Sequence, residues 1–298
     1  DAYFRRKVGS EAYDTLVGPF FGGLYGSNPA DMDVEVALAP ILSRAGVRRS
    51  LLATLIKRGR ISAAPAFSFQ DGMERLPQAM AEALGDRVRL GAPVELISAT
   101  RSGWVATVGD TGERIKAEQI VMATPALAAA TLLEHQAPRA SATIRALNHN
   151  PIAIVHVTAD LDADAMGFQV AFAESHRALR GVTFQHCLFN RHRLFSAFLG
   201  GSLNPAIVDA DDALLANTAT KEFEDTTGAP AEAISVWRTQ MPAWDLSWRA
   251  LKDLRMPVGL HVAGNWHTRA GLPGRFAEAK SVTASVLGLS TQSPDEQL

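Results

Sequence analysis

One stretch near the C-terminal end limits what this chain can build more than any other. It runs Gly259-Leu260-His261-Val262-Ala263-Gly264-Asn265, then Gly271-Leu272-Pro273-Gly274, then a helix over 275–287. The first part reads as a buried strand that delivers two small residues, Ala263 and Gly264. Small side chains there let a backbone approach a ligand closely. The second part starts a helix with glycines and a proline. The first N–H groups of a helix lack intrahelical partners and carry partial positive charge, so they suit an anion or an electron-rich carbonyl. By itself the pattern is satisfied equally well by an ordinary strand–loop–helix.

The surrounding sequence reads as α/β. Residues 66–133 predict a helix opened by Asp71-Gly72-Met73 and running to 84, a short strand over 88–90, and a strand over 93–98 with Val94, Leu96 and Ser98 on one face. Strands over 104–108 and 113–117 bracket Gly109-Asp110-Thr111-Gly112, which is hairpin-turn chemistry. The apolar run over 119–123 predicts a strand covered on both faces, ended by Thr124-Pro125 and followed by a helix over 126–133. Residues 150–245 are strand-rich, with strands expected over 152–158, 168–172, 181–188, 194–199 and 234–239 and a helix over 210–226. This predicts a second, mostly antiparallel sheet. The first 60 residues read as helical and loop-rich. A helix over 3–16 carries Phe4, Val8, Ala12 and Leu16 at helical spacing, 18–26 is a glycine–aromatic loop, and 31–45 is a further helix. The basic, amphipathic stretch over 50–60 reads either as a surface helix with a solvated face, the commoner outcome, or as a peripheral contact with anionic lipid.

Composition excludes several function classes. Lys+Arg is 29 against Asp+Glu 31, a formal net charge of -2, so nothing marks a nucleic-acid partner. The single cysteine, Cys187, excludes an intramolecular disulfide and a cysteine-built zinc cage. His186 and His192 flank it, but the histidines show no ligand spacing, and structural or solvated roles are expected for them. No apolar run reaches the ~18 residues of a spanning helix, and no signal peptide is recognisable. The expected location is cytoplasmic, peripheral to a membrane at most. The chain opens at Asp1 and enters a helix almost at once, which leads to the expectation that residues precede it. A polar tail over 291–298 is expected to be disordered.

The C-terminal stretch closely resembles the flavin-binding element of the two-dinucleotide-binding flavoproteins, which include protoporphyrinogen oxidases, amine oxidases and carotenoid desaturases. Three more segments are similar to that family in the same order: Leu90-Gly91-Ala92-Pro93-Val94, Val121-Met122-Ala123-Thr124-Pro125, and Trp237-Arg238-Thr239-Gln240-Met241-Pro242. A narrower resemblance, to protoporphyrinogen oxidases, covers about 3–287. It rests on Arg5-Arg6-Lys7-Val8-Gly9 with Pro19-Phe20-Phe21-Gly22-Gly23-Leu24-Tyr25-Gly26, on Asp71-Gly72-Met73-Glu74-Arg75-Leu76, and on Phe198-Leu199-Gly200-Gly201.

The resemblance implies FAD as cofactor, a hydrophobic small-molecule substrate such as a porphyrinogen, a place in porphyrin and heme biosynthesis, and hydride transfer to the flavin with dioxygen or another acceptor reoxidising it. No side chain is then required as a catalytic base. It implies contacts to FAD from Val94, Ala123, Thr124, Pro125, Trp237, Ala263, Gly264, Asn265, Gly271, Leu272, Pro273 and Gly274, and to substrate from Phe198, Ala171 and Thr183. It also implies an FAD-binding domain from 64–145 and 250–290, interleaved with a substrate domain from 1–63, a helical part with any membrane contact, and 146–249, an antiparallel sheet. The family's opening strand, Gly-x-Gly-x-x-Gly turn and helix has no counterpart here. The chain is therefore expected to lack its N-terminal βαβ unit and to retain FAD weakly or not at all. Departures lie around the substrate: Ala171 and Thr183 stand where the family places leucines over the ring, and Asp71 stands for a glycine. An amine oxidase or a carotenoid or sterol desaturase-like enzyme, with Trp237 and Trp244 as aromatic walls, stays open, as does a non-catalytic fragment that binds no FAD.

Overall fold

The computed structural model describes residues 1–37, 67–171, 174–267 and 271–289. Along the described chain the α-helices of five residues or more are α1 (Ala2–Val8), α2 (Gly18–Tyr25), α3 (Arg75–Leu84), α4 (Ala126–Leu133), α5 (Pro138–Arg145), α6 (Gln185–Phe189), α7 (Asp212–Thr227) and α8 (Leu272–Val286). The strands are β1 (Val94–Thr100), β2 (Gly103–Val108), β3 (Arg114–Ala117), β4 (Ile120–Met122), β5 (His149–Ala159), β6 (Gly167–Gln169), β7 (Leu179–Phe184), β8 (Leu194–Gly200), β9 (Ala231–Pro242) and β10 (Leu260–Val262). They divide into two compact units, one of residues 1–73 and 148–248, the other of 74–147 and the residues from 249 on.

The first unit is built on a five-stranded antiparallel sheet of order β6-β7-β8-β5-β9. Alternation along β5 decides what each face carries. Ala153, Val155, Val157 and Ala159 point to a core closed by Leu215, Ala219 and Phe223 of α7. Phe195 and Phe223 meet there at 5.3 Å between ring centroids; full burial of such a side chain stabilises by about 1.5–3 kcal/mol. α7 begins at Asp211, whose carboxylate accepts from the Leu214 N–H at 2.7 Å, and ends at Gly228 with φ 74°. Ile154 and His156 point to the opposite face, where no helix of comparable length packs among the described residues.

α2 is fastened to one end of this sheet by backbone contact. Ser202 N–H donates to the Gly26 carbonyl at 2.8 Å, and Asn28 N–H donates to the Ser202 hydroxyl at 2.7 Å. Gly201 has φ 72°, and a Cβ on it would lie 2.7 Å from the Gly26 oxygen. Only glycine allows this approach.

The second unit holds a meander, β1-β2-β3, and a parallel pair, β10-β4. α4 and α5 form a hairpin, and the buried Ser141 hydroxyl donates to the Ala130 carbonyl at 2.7 Å. Trp104 on β2 donates its indole N–H to Val258 at 3.1 Å. Gly259, φ 80°, lies so close that a Cβ would meet that nitrogen at 2.8 Å. β10 is thereby set alongside β4.

The hairpin at 109–112 and α4 form where the sequence places them. Other elements differ. Gly9, φ 88°, breaks the expected 3–16 helix after Val8, and a π-helical turn, Tyr13–Val17, follows. Tyr13 is the buried side chain of this segment, under the Arg5 guanidinium at 4.4 Å, whereas Val8 and Leu16 are exposed. Residues 18–25 are helical rather than a loop, because packing on the sheet end outweighs the low helix propensity of glycine. Residues 88–90 form no strand, and Gln185–Phe189 is a helical turn instead of the end of β7. In β1 a bulge at Glu95 leaves Val94 and Leu96 on the exposed side and buries Ile97. Val121 in β4 is 45% exposed, so among the described residues that strand is covered on one face only. The expected helix over 50–60, residues 38–45, residue 172 and the tail over 291–298 lie outside the described residues. No helix among the described residues is long and apolar enough to cross a membrane.

Because both the φ angle and the contact at Gly201 exclude a side chain, Gly201→Ala is expected to lower stability by about 1–3 kcal/mol. A shift of the urea midpoint with unchanged m-value checks this.

Candidate functional site

In the second unit, β4 and β10 run parallel in the register Leu260↔Ile120, His261↔Val121 and Val262↔Met122, and Ala263 N–H donates to Met122 at 2.9 Å. The two chains therefore leave the sheet side by side, as Ala123-Thr124-Pro125 and Ala263-Gly264-Asn265. Trp266, fully buried, donates its indole N–H to the Thr124 carbonyl at 3.0 Å. Gly264 is enclosed between them: a Cβ there would sit 2.4 Å from the indole nitrogen and 3.0 Å from the Thr124 oxygen. Arg275, in the first turn of α8, donates to the Gly264 carbonyl. It also pairs at 3.1 Å with Glu278, which is 6% exposed and holds His267 Nδ1 at 2.9 Å. The start of α8 is thus fixed against the tip of β10. Gly271 precedes it with φ 93°, Pro273 occupies its first turn, and no side chain among the described residues caps it. Val94 opens β1, which packs against α4, the helix that Pro125 caps.

This arrangement fits a nucleotide cofactor. Two strand ends carry small residues, an uncapped helix start lies beside them, and the Thr124 hydroxyl is buried with no hydrogen-bond partner among the described residues. An open groove of about 910 Å³ lies at the other end of the same strand pair, bordered by Glu118, Gln119, Gly259 and His261. Ligands of parallel sheets bind outside the carboxyl ends of the strands, so the tips are the better candidate despite the groove's volume.

In the first unit the free face of the sheet gathers the remaining predicted residues. One row across it is Gln169, Gly181, Phe198, Ile154 and Trp237; the next is Gly167, Thr183, Ser196, His156 and Ser235. Ala171 follows β6 with the same alternation. Trp237 is 65% exposed. Trp244 is instead buried, its ring 4.5 Å from that of Trp248, and forms no wall of this face. His156 and Ser196 were not singled out from the sequence. The Ser196 hydroxyl lies 3.0 Å from His156 Nδ1 and accepts from the Gln185 amide at 3.1 Å. Burial, and secondarily the charge of Arg191, hold the His156 pKa below its ordinary value. Cys187 is exposed, its thiol donating to Ala163 at 2.9 Å; the His186 and His192 rings lie 6.3 Å apart, and no metal-ligating group of three occurs among the described residues.

Residues 1–284 match the family described as flavin containing amine oxidoreductase. The chain belongs to that family. Among its relatives, protoporphyrinogen oxidase 1, chloroplastic, of Spinacia oleracea is 21% identical over 343 residues, covering 99% of this chain and 61% of the relative. Coproporphyrinogen III oxidase of Mycobacterium bovis (strain ATCC BAA-935 / AF2122/97) is 26% identical over 306 residues, covering 96% and 66%. Among solved structures, a protein assigned as a protoporphyrinogen oxidase from Exiguobacterium sp. 255-15 superposes with a TM-score of 0.78 at 21% identity, over 96% of this chain and 66% of that one. Cyclohexylamine oxidase from Brevibacterium oxydans IH-35A gives 0.60 at 17% identity, over 95% and 67%. The fold is therefore that of flavin amine oxidoreductases, and the chain spans 61% of the length of the spinach relative.

Two outcomes follow. Glu278→Ala strips Arg275 and His267 of their shared carboxylate and is expected to cost about 1.5–3 kcal/mol, read by urea denaturation. For His156, a depressed folded-state pKa means that the unfolded chain takes up the proton first. Stability is then retained above the ordinary histidine value of about 6.5 and falls as the pH drops through it. His156→Gln should flatten that slope in melts across the range, and an unchanged slope would assign it to other groups.

Proposed function

We propose that this protein is an FAD-dependent oxidoreductase of the protoporphyrinogen-oxidase kind, acting on a porphyrinogen-like, hydrophobic small molecule. The observation that carries the reading is the joining of the strand tips at Thr124 and Gly264 to the first turn of α8, through Trp266 and Arg275. Bound FAD supplies the hydride acceptor, with dioxygen or another acceptor taking the electrons on. In this reading the unit of 74–147 and 249–289 holds the cofactor. Ala263 leaves room for the ribityl-pyrophosphate, Gly264 brings its backbone to it beneath Trp266, Gly271, Leu272, Pro273 and Gly274 turn the helix start toward the flavin, and Thr124 offers its hydroxyl. Ala123, Pro125, Asn265 and Val94 complete the contacts.

The unit of 1–73 and 148–248 presents the substrate face. Phe198 and Ile154 offer apolar area to a ring, Trp237 a broad exposed surface at the edge, and Thr183 and Ala171 smaller walls. Orientation and exclusion of water suffice for a hydride transfer, so no side chain is assigned as base. An amine oxidase would need a pair of aromatic walls. Trp244 is committed to the Trp248 stack, which favours the porphyrinogen-like reading.

Thr124→Val tests the cofactor site without disturbing a protein hydrogen bond, because the hydroxyl has no partner among the described residues. The expected result in the flavin-loaded protein is retention weakened about tenfold, the worth of one hydrogen bond to a charged group, with an unchanged melt before loading. Flavin absorbance after gel filtration reads it. Unaltered retention would remove Thr124 from the site.

A further inference from the structure

The carbonyls at both strand tips face donors of the protein itself. The Thr124 oxygen accepts from the buried Trp266 indole at 3.0 Å, and the Gly264 oxygen accepts from Arg275. The N–H groups at the start of α8 carry no side-chain cap among the described residues. The tips therefore present more donor than acceptor character.

Arg275 adds a full charge to this. It lies in the first turn of α8, where the helix dipole is already positive and a cation is disfavoured, and no acidic residue occupies that turn. The offsetting charge comes from nearly one turn further on. Glu278, 6% exposed, sets Oε2 3.1 Å from the guanidinium, and His267 Nδ1 fixes Oε1 at 2.9 Å. A buried ion pair is a weak way to fasten a helix to a strand, since apolar residues of similar volume do so as well or better. What this pair supplies, and leucines could not, is a fixed charge at a fixed place beside the strand tips.

We propose that the Arg275–Glu278 pair sets the redox poise of the bound flavin, with Arg275 favouring the reduced, anionic form and Glu278 holding that preference in check. The proposal rests on the flavin reading and deepens it. Two electrons and one proton leave the flavin ring one unit more negative. A guanidinium beside the tips draws that equilibrium toward reduction, and the adjacent carboxylate opposes it. Arg275 thus eases the uptake of a hydride from substrate, and Glu278 keeps the electrons transferable to the next acceptor.

The test is the midpoint potential of the flavin-loaded protein, read by equilibrium dye titration. It compares the wild type with Glu278→Gln, Arg275→Gln, Arg275→Lys and the double variant Arg275→Gln/Glu278→Gln, each first shown by its melt to be folded. Glu278→Gln should raise the preference for reduced over oxidised flavin about tenfold, equivalent to about 30 mV for a two-electron couple. Arg275→Gln should lower it by a similar factor. Arg275→Lys and the double variant keep the net charge of the wild type and should stay near its potential. A pair that only fastened strand to helix would shift the two single Gln variants alike, and the double variant would not be restored. Potentials that move alike, or not at all, overturn the assignment, and an unchanged or lowered potential in Glu278→Gln does so even where Arg275→Gln does not fold. In that case the bound flavin still supports the cofactor reading. If flavin retention and potential are both indifferent to Thr124→Val, Glu278→Gln and Arg275→Gln, the flavin sits elsewhere and the reading of the strand tips falls as well.

Discussion

The indole of Trp266, buried against the carbonyl of Thr124, is the contact on which the candidate cofactor site depends. A carbonyl at the end of a parallel strand has no further ladder partner, and burying it unpaired would cost about 1–3 kcal/mol. Trp266 satisfies it at 3.0 Å and in doing so fills the space above Gly264. The glycine is required by the tryptophan as much as by any ligand. Arg275 then continues the chain of contacts from the Gly264 carbonyl to the buried carboxylate of Glu278. Strand, loop and helix start are one hydrogen-bonded assembly, and whatever the tips bind meets a surface organised in advance.

The sheet of the other unit solves a different problem. One face is packed and the other, among the described residues, carries no long helix. Strict alternation along β5 does this with a single strand, sending Val155 and Val157 inward and Ile154 and His156 outward. The polar residues on the free face are not loose, because Ser196 is shared between His156 and Gln185. Packing on α7 supplies the stability; the opposite surface is then at liberty to carry chemistry.

Legibility in the sequence followed how local the cause was. The Gly109-Asp110-Thr111-Gly112 turn and α4 after Thr124-Pro125 were readable because turn residues and the start of a helix act within a few positions. The helical state of 18–25 was not readable, since glycines argue for a loop and only contact with Gly201 and Gln169 reverses that. For the same reason His156 escaped notice: it depends on which side of β5 faces α7. Phe198, Thr183 and Trp237 were visible as residues of interest, through resemblance, but with two separate roles. The register that puts all three on one face is a property of four strands together, not of any one of them. The pattern over 3–16 misled because Gly9 resets the helical phase.

The extra residue in β9 has a wider consequence. Ser235 faces His156 and Ala233 faces Val157, so Ile234 is the unpaired insertion, exposed at 58%. Such an insertion works as a ratchet tooth: sliding β9 by one position would have to carry the irregularity past β5, and Ala231, Ala233 and Val236, which pack on the core, would exchange places with neighbours on the opposite face. The edge strand is therefore indexed, not merely attached. Divergence in a sheet of this kind is confined to swapping side chains at fixed positions, which lets the open face drift while the packed side stays as it is.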